Sequence, residues 1–131
     1  LLPGFEDITH ELTDDERALL PKFIRGFRNK FGPDNAVTNK HIIAGFKASG
    51  TKISDARVRK IINYIRTHDL VPGLVATSKG YYVTRDPMTI KKYIQSLDAR
   101  IREIQRVRDA MARDLKTNFS QIQSSLWERK L

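Results

Sequence analysis

Leu19, Leu20, Phe23, Ile24, Phe27 and Phe31 recur at helical spacing, which predicts a helix over residues 14 to 31 with one apolar face. Thr13-Asp14-Asp15-Glu16 has the form of a capping box, in which a threonine hydroxyl and a glutamate carboxylate satisfy each other's unpaired backbone N–H groups. Pro21 falls too late for the favoured first turn and is expected to bend this helix or to move its start toward Pro21. Gly32-Pro33-Asp34-Asn35 ends the segment. Upstream, residues 1 to 12 read as an arm lying on the domain through Leu1, Leu2, Phe5, Ile8 and Leu12.

Thr38 is expected to cap a short second helix whose buried face is Ile42, Ile43 and Phe46. Residues 47 to 53 then turn, with Gly50 where a positive φ is tolerated. Ser54 and Asp55 open a third helix with the apolar stripe Val58, Ile61, Ile62 and Ile65. That stripe leaves Asp55, Ala56, Arg57, Arg59, Lys60, Asn63 and Tyr64 wholly or partly outside the core. After Leu70-Val71-Pro72-Gly73, residues 74 to 77 and 81 to 84 read as two short strands joined by Ser78-Lys79-Gly80, a hairpin with a basic tip.

The last element begins near Pro87 and contains no further Gly or Pro. Ile90, Ile94, Leu97, Ile101, Ile104, Arg108, Met111 and Leu115 alternate spacings of four and three, the heptad seam of a coiled coil. Arg108 is the one charged seam position and is expected to bend outward, to pair with an acid such as Asp109 or Glu103 of a partner chain, or to mark where the seam shifts register. Beyond Leu115 the pattern weakens through Asn118, Phe119, Ile122, Leu126 and Trp127. The organisation is therefore an arm over residues 1–12, a domain over 13–86 and a long C-terminal helix over 87–131. The fold class is mainly α with a small β-hairpin.

Charge sharpens this picture. Residues 1–36 carry a net charge of -2, residues 37–86 carry +6 and residues 87–131 carry +5, so a polyanion would engage the middle and end of the chain. With no cysteine, disulfides, thiolate metal sites and thiol catalysis are excluded. No apolar run approaches the length of a membrane span, and the opening residues do not form a secretory signal as they stand. A cytoplasmic setting is the default expectation.

Helix, turn, helix and two-stranded wing is the order of the winged helix-turn-helix DNA-binding superfamily, and residues 38 to 84 resemble it. Ser54-Asp55-Ala56-Arg57-Val58-Arg59-Lys60-Ile61-Ile62-Asn63-Tyr64-Ile65, followed by Asp69-Leu70-Val71, is similar to the recognition helices of that superfamily, with Leu70 closing the helix. Ser78-Lys79-Gly80-Tyr81-Tyr82-Val83 resembles its wing. The whole chain also resembles small winged-helix proteins of bacteriophages and mobile elements. The resemblance implies binding of double-stranded DNA by a transcriptional regulator or a replication protein, with the helix over 54–68 in the major groove and the wing over 77–81 on the backbone.

On that basis Arg57 is the expected base contact, since arginine donates two parallel hydrogen bonds to guanine. Lys60 and Asn63 would lie one turn further along, Lys52 and Ser54 would hold phosphates at the helix start, and Lys79 would lie along the adjacent backbone or minor groove. Asp55 departs from an all-basic helix start and has three open roles: a cap, an acceptor from cytosine, or a brake on phosphate contact. Tyr64, Tyr81 and Tyr82 are expected in packing rather than base stacking.

His10, His41 and His68 lack a second ligand at metal spacing, and no phosphate loop, nucleophile elbow or paired-histidine motif occurs. No enzyme activity, metal, cofactor or small-molecule substrate is expected. Ile90, Ile94, Leu97, Ile101, Ile104, Met111 and Leu115 are expected to hold a homodimer together, with folding back onto the first domain as the alternative. An adaptor that binds protein through the winged helix and basic coiled coil is the alternative function.

Overall fold

The computed structural model describes residues 11 to 119, so the expectations for Leu1, Leu2, Phe5 and Ile8 and for Ile122, Leu126 and Trp127 lie outside the described residues. Thr13 opens α1 (Asp14–Phe27) with the reciprocal cap: Glu16 N–H donates to Thr13 Oγ1 at 3.2 Å, and Thr13 N–H donates to Glu16 Oε1 at 2.9 Å. Three acidic residues in that turn complement the positive end of the helix. The cap holds the start at Asp14, and Pro21 does not move it. Burial of Phe23 and Phe27 on the following turns offsets the hydrogen bond that the proline removes.

α1 stops at Phe27, four residues short of the expected end, because the backbone beyond it is taken by the hairpin. Val83 N–H donates to Lys30 O at 2.7 Å and Gly32 N–H donates to Val83 O at 3.1 Å, which places Phe31 beside Val83 instead of on the helix face. A 3-10 turn (Pro33–Asn35) follows, and Val37 then exchanges hydrogen bonds of 2.9 and 2.7 Å with Tyr81.

α2 (Asn39–Ala48) is capped by Thr38, whose Oγ1 accepts His41 N–H, while His41 Nδ1 accepts Thr38 N–H, both at 3.2 Å. Histidine here does what glutamate does at the start of α1. α3 (Asp55–Thr67) is capped by Ser54 and buries Val58, Ile61, Ile62 and Ile65. Each such aliphatic side chain contributes about 1.5–3 kcal/mol. α1 and α2 both pack on α3, and Leu12, Ile53, Val71, Leu74 and Val83 complete the core with Phe23 and Phe27. Asp69 takes a left-handed φ of 53°, and Leu70 N–H donates to Ile65 O at 3.0 Å, the bond that ends a helix in a Schellman turn. Val71, not the exposed Leu70, then enters the core.

β1 (Leu74–Thr77) and β2 (Gly80–Val83) pair antiparallel from Leu74↔Val83 to Thr77↔Gly80. The second strand thus begins one residue earlier than expected, and the tip is Ser78-Lys79 alone. Gly80 makes this possible. Its φ is 121°, and a Cβ there would run into the backbone carbonyl of Val37.

The chain divides into two compact units, residues 1–90 and 91–131. α4 (Pro87–Asp114) starts in the first, where Asp86 Oδ1 accepts Met88 N–H at 3.1 Å and Oδ2 accepts the Thr89 hydroxyl at 2.8 Å. No residue of α4 is buried. Ile94, Ile101, Ile104, Met111 and Leu115 are exposed, and Ile90 and Leu97 are half-buried. Arg108 pairs with Asp109 of its own chain at 3.1 Å, and Arg106 takes Glu103 at 3.2 Å. At Leu115 the helix widens into a π turn (Leu115–Phe119), which breaks the regular seam. Among the described residues no helix is long and apolar enough to cross a membrane.

Candidate nucleic-acid interface

The start of α3 is shaped by the turn before it. Thr51 N–H donates to Phe46 O at 2.8 Å and Gly50 N–H donates to Lys47 O at 3.0 Å, which reverses the chain between α2 and α3. Ile53 is buried, so Lys52 and Ser54 on either side of it point outward. Ser54 Oγ accepts Arg57 N–H at 3.2 Å, so the serine is first a cap, and only its hydroxyl proton is left to donate to a phosphate.

Arg57, Lys52 and Lys79 are exposed, and their side chains have no hydrogen-bond or ion-pair partner among the described residues. Lys79 sits at the hairpin tip, where its N–H donates to Thr77 Oγ1 at 3.2 Å. Asn63 is half-buried.

Lys60 departs from the expected role. Its Nζ donates to Glu16 Oε1 at 2.7 Å, and the two side chains are only 14% and 2% exposed. The charge is therefore spent on α1, because a buried glutamate that caps a helix needs a cation and Lys60 supplies it. Lys60 does not belong with the outward-facing cations.

A polar cluster that the hydrophobic pattern did not single out joins α2, α3 and the hairpin. Asn39 Nδ2 donates to Asp55 Oδ1 at 3.1 Å, and Asp55 Oδ2 pairs with Arg59 Nε at 3.0 Å. Asp55 is thus a tie to α2 and a partner for Arg59, while the cap itself is Ser54. Burial pushes the Tyr81 phenol above its ordinary range. Hydrogen bonding from Asn39 and the charges of Arg66 and Arg59 oppose that rise, and Asp55 reinforces it. Tyr81 of β2 therefore lies within the field of Asp55, Arg59 and Arg66, which occupy one side of α3 at intervals of four and seven. Leu74 and Val83 of the hairpin pack into the same core as α3. The i, i+4, i+11 spacing of these three residues was the available signal for grouping them.

Tyr64 and Tyr81 have packing roles, as their aromatic area suggests: Tyr64 stacks on His68 with centroids 3.9 Å apart, and Tyr81 meets the edge of Phe27 at 6.1 Å. His41 is a capping residue, and among the described residues no cluster of side chains could hold a metal ion. Compared with known proteins, the chain matches no protein-family model, no curated relative and no solved structure.

Proposed function

We propose that this protein binds double-stranded DNA as a winged helix-turn-helix, with the start of α3 in the major groove and the tip of the β1–β2 hairpin on the neighbouring backbone. The observation that carries it is the placement of unpartnered, exposed Arg57 and Lys52 at the start of a helix that shares its core with a basic-tipped hairpin. Arg57 reads a base, Lys52 and the Ser54 hydroxyl hold phosphates, and Lys79 grips the backbone. Arg59, held by Asp55 at 56% exposure, can exchange that weak pair for a phosphate. The +6 of residues 37–86 supplies the sequence-independent attraction.

Two copies pair through α4. Ile94, Ile101, Ile104, Met111 and Leu115 lie along one seam at between 51% and 66% exposure, a row of large apolar side chains that water disfavours. The pairing holds two α3 helices for two half-sites. Selection of bound sequences from a random duplex pool tests both parts: a preferred site with two related halves is expected, and recovery of unrelated sequences contradicts sequence reading.

A further inference from the structure

α1 and α2 both pack on α3, and between α1 and α2 a slot of about 380 Å³ stays open. Its floor is aromatic: Phe23 and Phe46 lie tilted with centroids 5.1 Å apart, and Phe27 is 6.4 Å from Phe23. Two rows of residues edge it. Lys22, Gly26 and Lys30 follow one another at intervals of four along α1 and just past its end, and His41, Gly45 and Ser49 do the same along α2 and its cap.

Each row has glycine at its centre, and no backbone or packing demand accounts for either one. Neither glycine has a positive φ, and a Cβ built at Gly26 or Gly45 would meet nothing within 4 Å. Glycine is a poor helix former, so two of them at the same slot leave an opening that any side chain would begin to fill.

The polar side chains around the opening are two lysines, a histidine and a serine. Lys22 and Lys30 carry positive charge, and His41 Nδ1 accepts Thr38 N–H, which leaves the N–H of the neutral ring on Nε2. The Ser49 hydroxyl is turned away to Phe46 O at 2.9 Å. Among the described residues no Asp or Glu lines the slot. An apolar floor, a slot of ligand size and a rim of cations without an anion together select an apolar body with a negative head.

We infer that this slot is a binding site for a flat, apolar carboxylate of the aromatic-acid class, its rings passing between Gly26 and Gly45 over Phe23 and Phe46 and its carboxylate resting on Lys22 and Lys30. The site is on a different set of residues from the DNA contacts and stands or falls independently of them.

The test is an amide NMR titration of the full chain with three probes of one shape: 2-naphthoate, 2-naphthylmethanol and 2-naphthylmethylammonium. The acid shifts the Gly26 and Gly45 amides saturably. The alcohol binds about fivefold more weakly, the worth of one solvent-exposed ion pair, and the ammonium more weakly still. Lys22→Gln with Lys30→Gln removes the preference for the acid but keeps the alcohol, and Gly45→Leu abolishes all three. Far-UV circular dichroism checks that both variants remain helical, and the charge test stands even where Gly45→Leu unfolds. Equal affinity for acid and alcohol, a preference that survives the double lysine variant, or acid-induced shifts that avoid both glycines would overturn the assignment.

Discussion

Lys60 Nζ lies 2.7 Å from Glu16 Oε1, tying the middle of α3 to the first turn of α1 across 44 residues of chain. The same Glu16 oxygen accepts Thr13 N–H at 2.9 Å, so one carboxylate both caps α1 and anchors it to the central helix. Removing one partner of a buried pair strands the other charge, a loss of about 3–5 kcal/mol. Lys60→Met and Glu16→Gln are each expected to destabilise the protein strongly in urea titrations. The double variant is expected to lose clearly less than the two losses added. Additive losses would mean that the pair contributes nothing as a pair.

Stability should also fall in acid for the same reason. Burial pushes the Glu16 carboxyl up, but hydrogen bonds from Lys60 and Thr13 and the charge of Lys60 outweigh it and hold the group below the ordinary glutamate range. A folded-state pKa below the unfolded one, which is about 4.3 for glutamate, gives stability that is complete above the unfolded value. That stability is lost as pH falls through the folded value. Unfolding free energies measured from neutral pH downward should therefore decline more steeply in acid for the native chain than for Glu16→Gln. Parallel curves would contradict the coupling.

Gly80 gives a prediction about the hairpin. Its φ of 121° disfavours any side chain, and a Cβ would collide with Val37 O, the acceptor of the 2.7 Å bond from Tyr81 N–H. Gly80→Ala should cost about 2 kcal/mol through strain and lost pairing. Hydrogen exchange at the Tyr81 amide should accelerate more than at Ile61. Equal acceleration at both would place the damage elsewhere.

The parts of this fold that were legible in the sequence are those written in local chemistry. Thr13, Thr38 and Ser54 announce three helix starts through their hydroxyls, and the 3–4 spacing of Val58, Ile61, Ile62 and Ile65 marks the buried face of α3. What escaped depends on contacts between distant segments. Nothing local tells Phe31 to leave α1 and pair with Val83, and its spacing from Phe27 suits a helix equally well. Lys60 has a solvent-facing position in the periodicity of α3, and only the location of Glu16 on a neighbouring helix turns it inward. Asp55, whose role was open, is resolved by Asn39, sixteen residues away. At the candidate site, Arg57, Lys52 and Lys79 could be read as exposed because no apolar stripe claims them, whereas the grouping of Arg59 and Arg66 beside Tyr81 needed the hairpin in place.

The exposed seam of α4 makes a prediction about assembly. Ile101 and Ile104 are 62% and 61% exposed, so charged substitutions there should not disturb the core of residues 1–90. Light scattering at tens of micromolar, where apolar seams normally associate, should give twice the chain mass for the native protein. Ile101→Asp with Ile104→Asp should give the monomer mass at an unchanged melting temperature of the first unit. A monomeric native chain, or a double variant that stays paired, would remove α4 as the dimer contact.

The proposed division of labour, in which α3 reads bases and the hairpin grips the backbone, is tested by fluorescence anisotropy on a selected duplex and a scrambled one across a salt series. Arg57→Ala is expected to cost about 1–3 kcal/mol on the selected duplex and little on the scrambled one. Lys79→Ala is expected to weaken both duplexes alike and to reduce the salt slope by about one. Absence of salt-dependent binding by the native chain, or equal losses from both substitutions on every duplex, would contradict it.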